Sequence, residues 1–310
     1  MTRRAHISAV SVALIVVFSQ PVVVQFEFGT PRNLGSVINS GPVGNQPGFD
    51  GGPNTSSDGL TLYFVSDRPE GAGGSDLRVA RRTTVAAPWS TPINLGPSVN
   101  GKDMDASPSI SSDGLELYFD SSRPGGQGDW DVSVTSRASL SASWELPRNL
   151  GPLVNSAAGD GTPQLTRDGR TLYFASWRAG GLGKSDIWVT TRRSRAEPWQ
   201  PPVNLGSAIN SAHLDWSPGP SPDGLLLLFQ SDRPGGLGGD DLYVTTRATL
   251  TSAWTAPANL RSLNSSEDDA KAHFSADELT LYFMSTRPGG FGFFDIWEVP
   301  IQRSRRGEQR

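Results

Sequence analysis

The sequence predicts an all-β fold: a five-bladed β-propeller of four-stranded antiparallel blades, closed by the N-terminal strand completing the last blade. Three observations carry this expectation. An arginine recurs at Arg68, Arg123, Arg178, Arg233 and Arg287, spaced 55, 55, 55 and 54 residues apart. Each heads a Gly-rich segment: RPEGAGGSDL, RPGGQGDWDV, RAGGLGKSDI, RPGGLGGDDL and RPGGFGFFDI. Around it each unit carries strand-like segments separated by turn signals, four in a complete unit, as in a propeller blade. The fifth unit lacks its last segment, and the chain supplies one near its start.

The elements follow in order. Strand A opens on an acid: Asp50, Asp105, Asp160, Asp215 and Asp269. A turn comes next, Asp58-Gly59, Asp113-Gly114, Asp168-Gly169 and Asp223-Gly224, with Asp277-Glu278 in the last copy. Strand B reads LTLYFVS, LELYFDS, RTLYFAS, LLLLFQS and LTLYFMS. Its consecutive apolar residues suit a strand covered on both faces by neighbouring blades. Strand C begins with a second acid after the Gly-rich loop: Asp76, Asp131, Asp186, Asp241 and Asp295. Trp89, Trp144, Trp199 and Trp254 introduce strand D, which ends at Asn94, Asn149, Asn204 and Asn259. The N-terminal FEFGTPRNLGSVINS is the missing fifth copy: Asn33 aligns with Asn94, and Phe28 stands where the other copies place Trp. A closed ring removes free sheet edges.

These boundaries divide the 310 residues. Residues 1–19 have Arg3 and Arg4 before an apolar run, the pattern of a secretory signal peptide; an uncleaved N-terminal anchor is the alternative. Residues 20–25 are a linker and 26–300 the propeller. Its repeats lie near 50–104, 105–159, 160–214, 215–268, and 269–300 with 26–40; a basic tail occupies 301–310. The protein is therefore expected to be exported, periplasmic or extracellular, with no membrane span after signal removal. The net charge of −4 advertises no nucleic-acid partner. With no cysteine, disulfides, thiolate metal sites and a cysteine nucleophile are excluded. Nothing implies a cofactor.

The unit SPDG…LYF.S.RPGG.G..DLYV…W..P.NLG resembles the WD-like propeller repeats of the TolB kind, in particular a periplasmic subgroup. The resemblance covers 26–299 and implies an exported binding propeller at the cell envelope, its partner an envelope protein or glycan.

Within such a ring the D-to-A and B-to-C connections share one face, and strand A lines the channel. Three five-fold series then meet on that face: the Asp50 series, the Arg68 series and the Asp76 series. Each Arg can fork hydrogen bonds to a carboxylate, making a structural network. Alternatively the inner aspartates converge on the channel mouth and hold a cation or polar ligand. Residues that break the repeat are the better binding candidates, because the fold does not demand them. In the D-to-A loops these are Lys102, Asp103, His213, Trp216, Glu267, Asp268, Lys271 and His273. His213 and His273, on adjacent loops, are a conceivable metal pair, although no metal motif supports one.

GGLGGDDLY resembles a calcium-binding nonapeptide, but Asp241 comes one residue late and the copies are isolated, not tandem. No catalytic residue is expected. The Ser66, Ser121, Ser176, Ser231 and Ser285 series is a repeat position and suggests strand packing, and there is no G-x-S-x-G elbow. The leading expectation is a non-enzymatic scaffold recognising a protein or glycan through the D–A/B–C face. The alternative is a glycosidase-like enzyme using channel-mouth carboxylates.

Overall fold

A computed structural model describes residues 24–46 and 48–305. The signal-peptide expectation, most of the linker and the end of the tail lie outside them. Among the described residues every regular element is a β-strand. Blade 1 comprises strands A to D at Asp50–Thr55, Thr61–Ser66, Asp76–Arg81 and Ile93–Asn94. Blade 2 has Asp105–Ile110, Glu116–Ser121, Asp131–Ser136 and Arg148–Asn149, and blade 3 has Asp160–Leu165, Thr171–Ser176, Asp186–Thr191 and Val203–Asn204. Blade 4 has Asp215–Pro220, Leu226–Ser231, Asp241–Thr246 and Ala258–Asn259. In blade 5, Asp269–Phe274, Thr280–Ser285 and Asp295–Arg305 are completed by Arg32–Asn33 from the N-terminus.

All pairings within blades are antiparallel, and the registers repeat: Asp50 faces Ser66, and Ser66 faces Asp76. This places the start of A, the end of B, the start of C and the end of D together, so the D–A and B–C connections form one face. The apolar run of strand B is buried as a block; Leu62, Tyr63, Phe64 and Val65 are all within 2% of full burial. The core is a series of inter-blade layers. One joins Leu77 and Val79 of blade 1 to Leu117 and Phe119 of blade 2; another joins Val132 and Val134 to Leu172 and Phe174.

The closing strand sits in the expected register, with Arg32 opposite Glu298 and Asn33 opposite Trp297. Two features were not foreseen. Strand C of blade 5 runs on to Arg305, past the expected start of the tail, and Val24–Phe28 pairs with it from Phe28↔Ile301 to Val24↔Arg305. This ribbon extends beyond the face carrying the A–B turns.

Each strand A also contains a bulge, between Gly51 and Asn54 in blade 1 and at the equivalent place elsewhere. Its third residue is left-handed in every blade: Gly52 (φ 61), Ser107 (55), Thr162 (51), Ser217 (55) and Lys271 (45). Only glycine adopts that region freely, yet four blades place a larger side chain there.

Closure is also chemical. Asn33 Nδ2 donates to Asp295 Oδ2 at 2.9 Å, while its Oδ1 accepts from Gly35 N and Asn39 Nδ2. Replacing Asn33 with Ala should therefore lower the unfolding free energy by about 1–3 kcal/mol. Urea denaturation would check this, and an unchanged midpoint would mean that the closing strand adds no stability.

Candidate functional site

The D–A/B–C face is organised by one arrangement repeated five times. The inner aspartates are wholly enclosed, each side chain 0% exposed, and each meets the arginine 18 residues on. The Arg Nη2–Asp Oδ1 distances are 2.8, 2.7, 2.6, 2.5 and 2.5 Å from blade 1 to blade 5. The contact is single, not forked. The same arginine gives its Nε to the serine ending strand B, as Arg123 does to Ser121 at 2.8 Å. It also gives Nη2 to a D–A loop carbonyl, as Arg178 does to Val154. The second carboxylate oxygen accepts from the D–A loop; Ser211 N and Oγ reach Asp215 Oδ2 at 2.6 and 2.7 Å. Each arginine lies over the Phe of its LYF or LLF strand, from 5.7 Å for Arg68 on Phe64 to 4.7 Å for Arg287 on Phe283.

Two expectations change on this geometry. The inner aspartates do not open onto the channel mouth, because every one is closed over by an arginine and a loop amide. The Ser66 series is more than strand packing, since its hydroxyls are hydrogen-bond partners that orient the arginines.

The strand C aspartates work differently. Asp186 accepts from Leu182 N (2.6 Å), Gly183 N (3.1 Å) and Asn204 Nδ2 (2.7 Å), so it folds the Gly-rich loop onto itself and ties it to strand D. Asp76, Asp241 and Asp295 do the same, and Asp131 accepts from Gln127 N and Asn149. A calcium-binding role for the Gly-rich loop loses its ligand here, since the carboxylate is occupied by backbone amides.

The off-repeat residues separate into two groups. Lys102 and Asp103 lie on the D–A loop of blade 2, with Lys102 exposed. His213 is on the loop before blade 4, its side chain 40% exposed and its Nδ1 3.8 Å from Asp232. Glu267 is exposed, and Asp268 Oδ1 accepts from Asp240 N at 3.0 Å. Trp216, Lys271 and His273 are not loop residues. They belong to the inner strands of blades 4 and 5 and face the channel region. Trp216 Nε1 donates to Gln230 Oε1 at 2.8 Å, and its ring meets Trp177 edge-on at 5.1 Å. Lys271 Nζ crosses the channel to Ser107 Oγ of blade 2. His273 is hydrogen-bonded through Nδ1 to Asn54 Nδ2 (3.1 Å) and through Nε2 to Thr55 Oγ1 (3.2 Å).

His213 and His273 are therefore not brought together; one sits on a surface loop and the other inside the ring. Among the described residues no three His, Asp or Glu side chains converge as a metal site. The cation-in-channel expectation is also displaced. The cavity at the channel waist is lined by Gly52, Ser107, Thr162, Gln164, Ser217 and Lys271, with no carboxylate.

Some contributors escaped the sequence reading. Asn39, Asn100, Asn155, Asn210 and Asn264 are buried, and each exchanges two hydrogen bonds with one strand C residue, as Asn100 does with Leu77. The recurring VN, IN and LN pairs signalled them. Asp120 and Gln230 replace Val65, Ala175 and Met284 at one position of strand B. They mark the blades whose inner edge is polar.

Comparison with known proteins bears on the fold. No protein-family model and no curated protein matches the chain. Among solved structures it is similar to TolB from Acinetobacter baumannii, at 17% identity and a TM-score of 0.51. That match covers 82% of this chain and 54% of the TolB chain, so this chain spans about half the length of that protein. It is also similar to an α-L-arabinofuranosidase from Podospora anserina in complex with cellotriose, at 14% identity and a TM-score of 0.54, covering 86% and 95% of the two chains. A family 117 glycoside hydrolase from the marine bacterium Zobellia galactanivorans matches at 11% identity and 0.56, covering 90% of each. These likenesses are of fold alone: the chain shares the propeller architecture with all three.

Two predictions follow from the clamp and the channel. Arg233→Met leaves Asp215 buried without its cation, which should cost about 3–5 kcal/mol. Adding Asp215→Asn should return part of that loss, as measured by denaturant melts of both variants. His273 is the pH-sensitive group: burial holds its imidazole down to about 4, against the raising effect of Thr55. The unfolded chain takes up the proton near the usual 6.5, so stability is fully present above that value and declines as pH falls toward 4. A loss on the order of 2–3 kcal/mol is expected across this window. His273→Gln should flatten that part of a pH–stability profile.

Proposed function

We propose that this protein is an exported, non-catalytic propeller of the cell envelope that recognises a protein or glycan partner through its D–A/B–C face. One observation carries the reading. In the Gly-rich loop the fold uses only the backbone amide of the residue four before the strand C aspartate, at Ala72, Gln127, Leu182, Leu237 and Phe291. The side chain there is free to vary. Blades 3, 4 and 5 make it large and apolar, with Leu182, Leu237 and Phe291 50%, 43% and 45% exposed. Trp177 and Phe293 extend the same arc at 38% and 52% exposure. Apolar groups carried by three successive blades, with the exposed Lys184 and Glu267 on loops of the same face, have the composition of a recognition surface.

The alternative, a carbohydrate-active enzyme, draws support from the glycoside hydrolases that share the ring. Against it stands the chemistry of the carboxylates. Hydrolysis of this kind calls for two acids free to reach the scissile bond, and all five inner aspartates are bonded on one oxygen to an arginine and on the other to the incoming D–A loop.

A Leu182→Asp/Leu237→Asp/Phe291→Asp variant should melt like the parent yet bind at least about tenfold more weakly, since each lost apolar anchor is worth over 1 kcal/mol. Binding would be read by titration against solubilised envelope proteins and an array of envelope glycans. Equal binding by parent and variant would place recognition elsewhere. Release of sugar from arabinan, xylan or fructan by the parent, lost in Asp120→Asn, would establish the enzyme instead.

A further inference from the structure

The channel waist has its own chemistry, independent of the outer face. Its cavity has the size of a single water-sized particle. Three enclosed hydroxyl residues line it, Ser107, Thr162 and Ser217, each 3% exposed. Their backbones are held left-handed by the strand A bulges, as is that of Lys271. For the β-branched Thr162 and for a lysine this conformation costs energy, so something must reward the placement of these side chains.

The hydrogen bonds show what is missing. Ser107 Oγ accepts from Lys271 Nζ, so its own proton is left to donate. Thr162 Oγ1 accepts from Ser217 N at 3.3 Å, which leaves its proton likewise. Ser217 Oγ is enclosed with no hydrogen-bond partner at all. Gln164 Oε1 accepts from Asn54 Nδ2, which frees the Gln164 amide hydrogens. Lys271 has two further N–H groups and no carboxylate at ion-pair distance among the described residues; burial pushes its ammonium down, and only Asp120 counters. Asp120 is outside the cavity lining and uses Oδ1 to accept from Thr162 N at 3.0 Å. The waist thus presents donors and a positive charge around a space that contains no acid. A water could use the hydroxyl oxygens as acceptors, but it would leave the Lys271 charge without a counter-charge; an anion supplies one and accepts from every donor.

We propose that the channel holds one halide-sized anion on its axis, coordinated by the Lys271 ammonium and the hydroxyls of Ser107, Thr162 and Ser217. Lys271 from blade 5 and Ser107 from blade 2 belong to non-adjacent blades, so the ion ties the ring across its centre. Binding to the folded state alone raises stability with concentration.

The test compares melting of the intact chain in sodium chloride, sodium bromide and sodium gluconate at matched ionic strength, with crystals grown in bromide. The expected result is a saturable rise in melting temperature with both halides but not gluconate. An anomalous bromide peak should lie between Lys271 and Ser217. Lys271→Met should abolish the halide-specific rise, and Ser217→Ala should weaken halide affinity by about fivefold. Should Lys271→Met fail to fold, Ser217→Ala still decides. Identical melting in all three salts, a water in place of bromide, or an unaltered halide response in Ser217→Ala would overturn the proposal.

Discussion

Everything on the D–A/B–C face depends on how five buried carboxylates are compensated. A carboxylate removed from water without partners is prohibitively costly. Here each one is met by a guanidinium, a serine or glycine amide and, in four blades, a serine hydroxyl. The arginine is what makes this an architectural device. Its Nη2 reaches both the carboxylate at the start of strand A and the carbonyl of the incoming D–A loop, and its Nε grips the end of strand B. One side chain therefore fixes two strands and the crossover that delivers the chain from the preceding blade. The phenyl ring beneath it explains why strand B carries a Phe two residues before its terminal Ser: the guanidinium needs a flat apolar support as well as acceptors.

The joint between the chain ends shows which parts of the unit are indispensable. Blade 5 keeps the arginine clamp, and it keeps the Asn–Asp contact although Asn33 and Asp295 come from opposite ends of the chain. It drops a second arrangement. In the other blades an arginine after strand C stacks on the strand D tryptophan at 4.1–4.4 Å and donates to a turn-glycine carbonyl, as Arg137 does with Trp144 and Gly114. In blade 5 these places are taken by Ile301, Phe28 and Glu278. Ile301 is buried, and Phe28 packs against the same apolar cluster. The substitution is concerted. It exchanges a cation–aromatic pair at the rim for an apolar contact that suits the long paired ribbon of Val24–Phe28 with the end of strand C.

The ring, its blade count and the closing register were legible because the signal was redundant; five copies at one spacing fix strand order before any residue is interpreted. Closure was readable from Asn33 for the same reason. The site was less legible, and the failures have a common cause. Lys271 and His273 follow Asp269 by two and four residues, so sequence position alone assigned them to the loop, while the hydrogen bonds of Asp269 already start strand A there. The bulge then turns both toward the axis, and a bulge has no signature in a string whose third residue is Gly, Ser, Thr, Ser or Lys. The inner aspartates could be read as ligands or as struts, because a carboxylate series looks the same until its arginine is shown to reach it.

Repetition and function divide the polar residues between them. Positions that recur in all five blades have most of their hydrogen-bonding capacity used locally: Asp by Arg, Asp by Gly-loop amides, Asn by strand C; Asp131 Oδ1, enclosed without a partner, is the exception. Such enclosed groups have little to offer a ligand. Groups with capacity to spare sit where the five-fold pattern fails, and in different blades: Ser107 and Asp120 in blade 2, Thr162 in blade 3, Ser217 in blade 4 and Lys271 in blade 5. A symmetric ring presents the same surface five times and can discriminate little around its axis. Breaking the symmetry at the inner strand and at the loop tips gives the channel and the outer face each a single orientation, and a rigid clamp between them keeps the two sets apart.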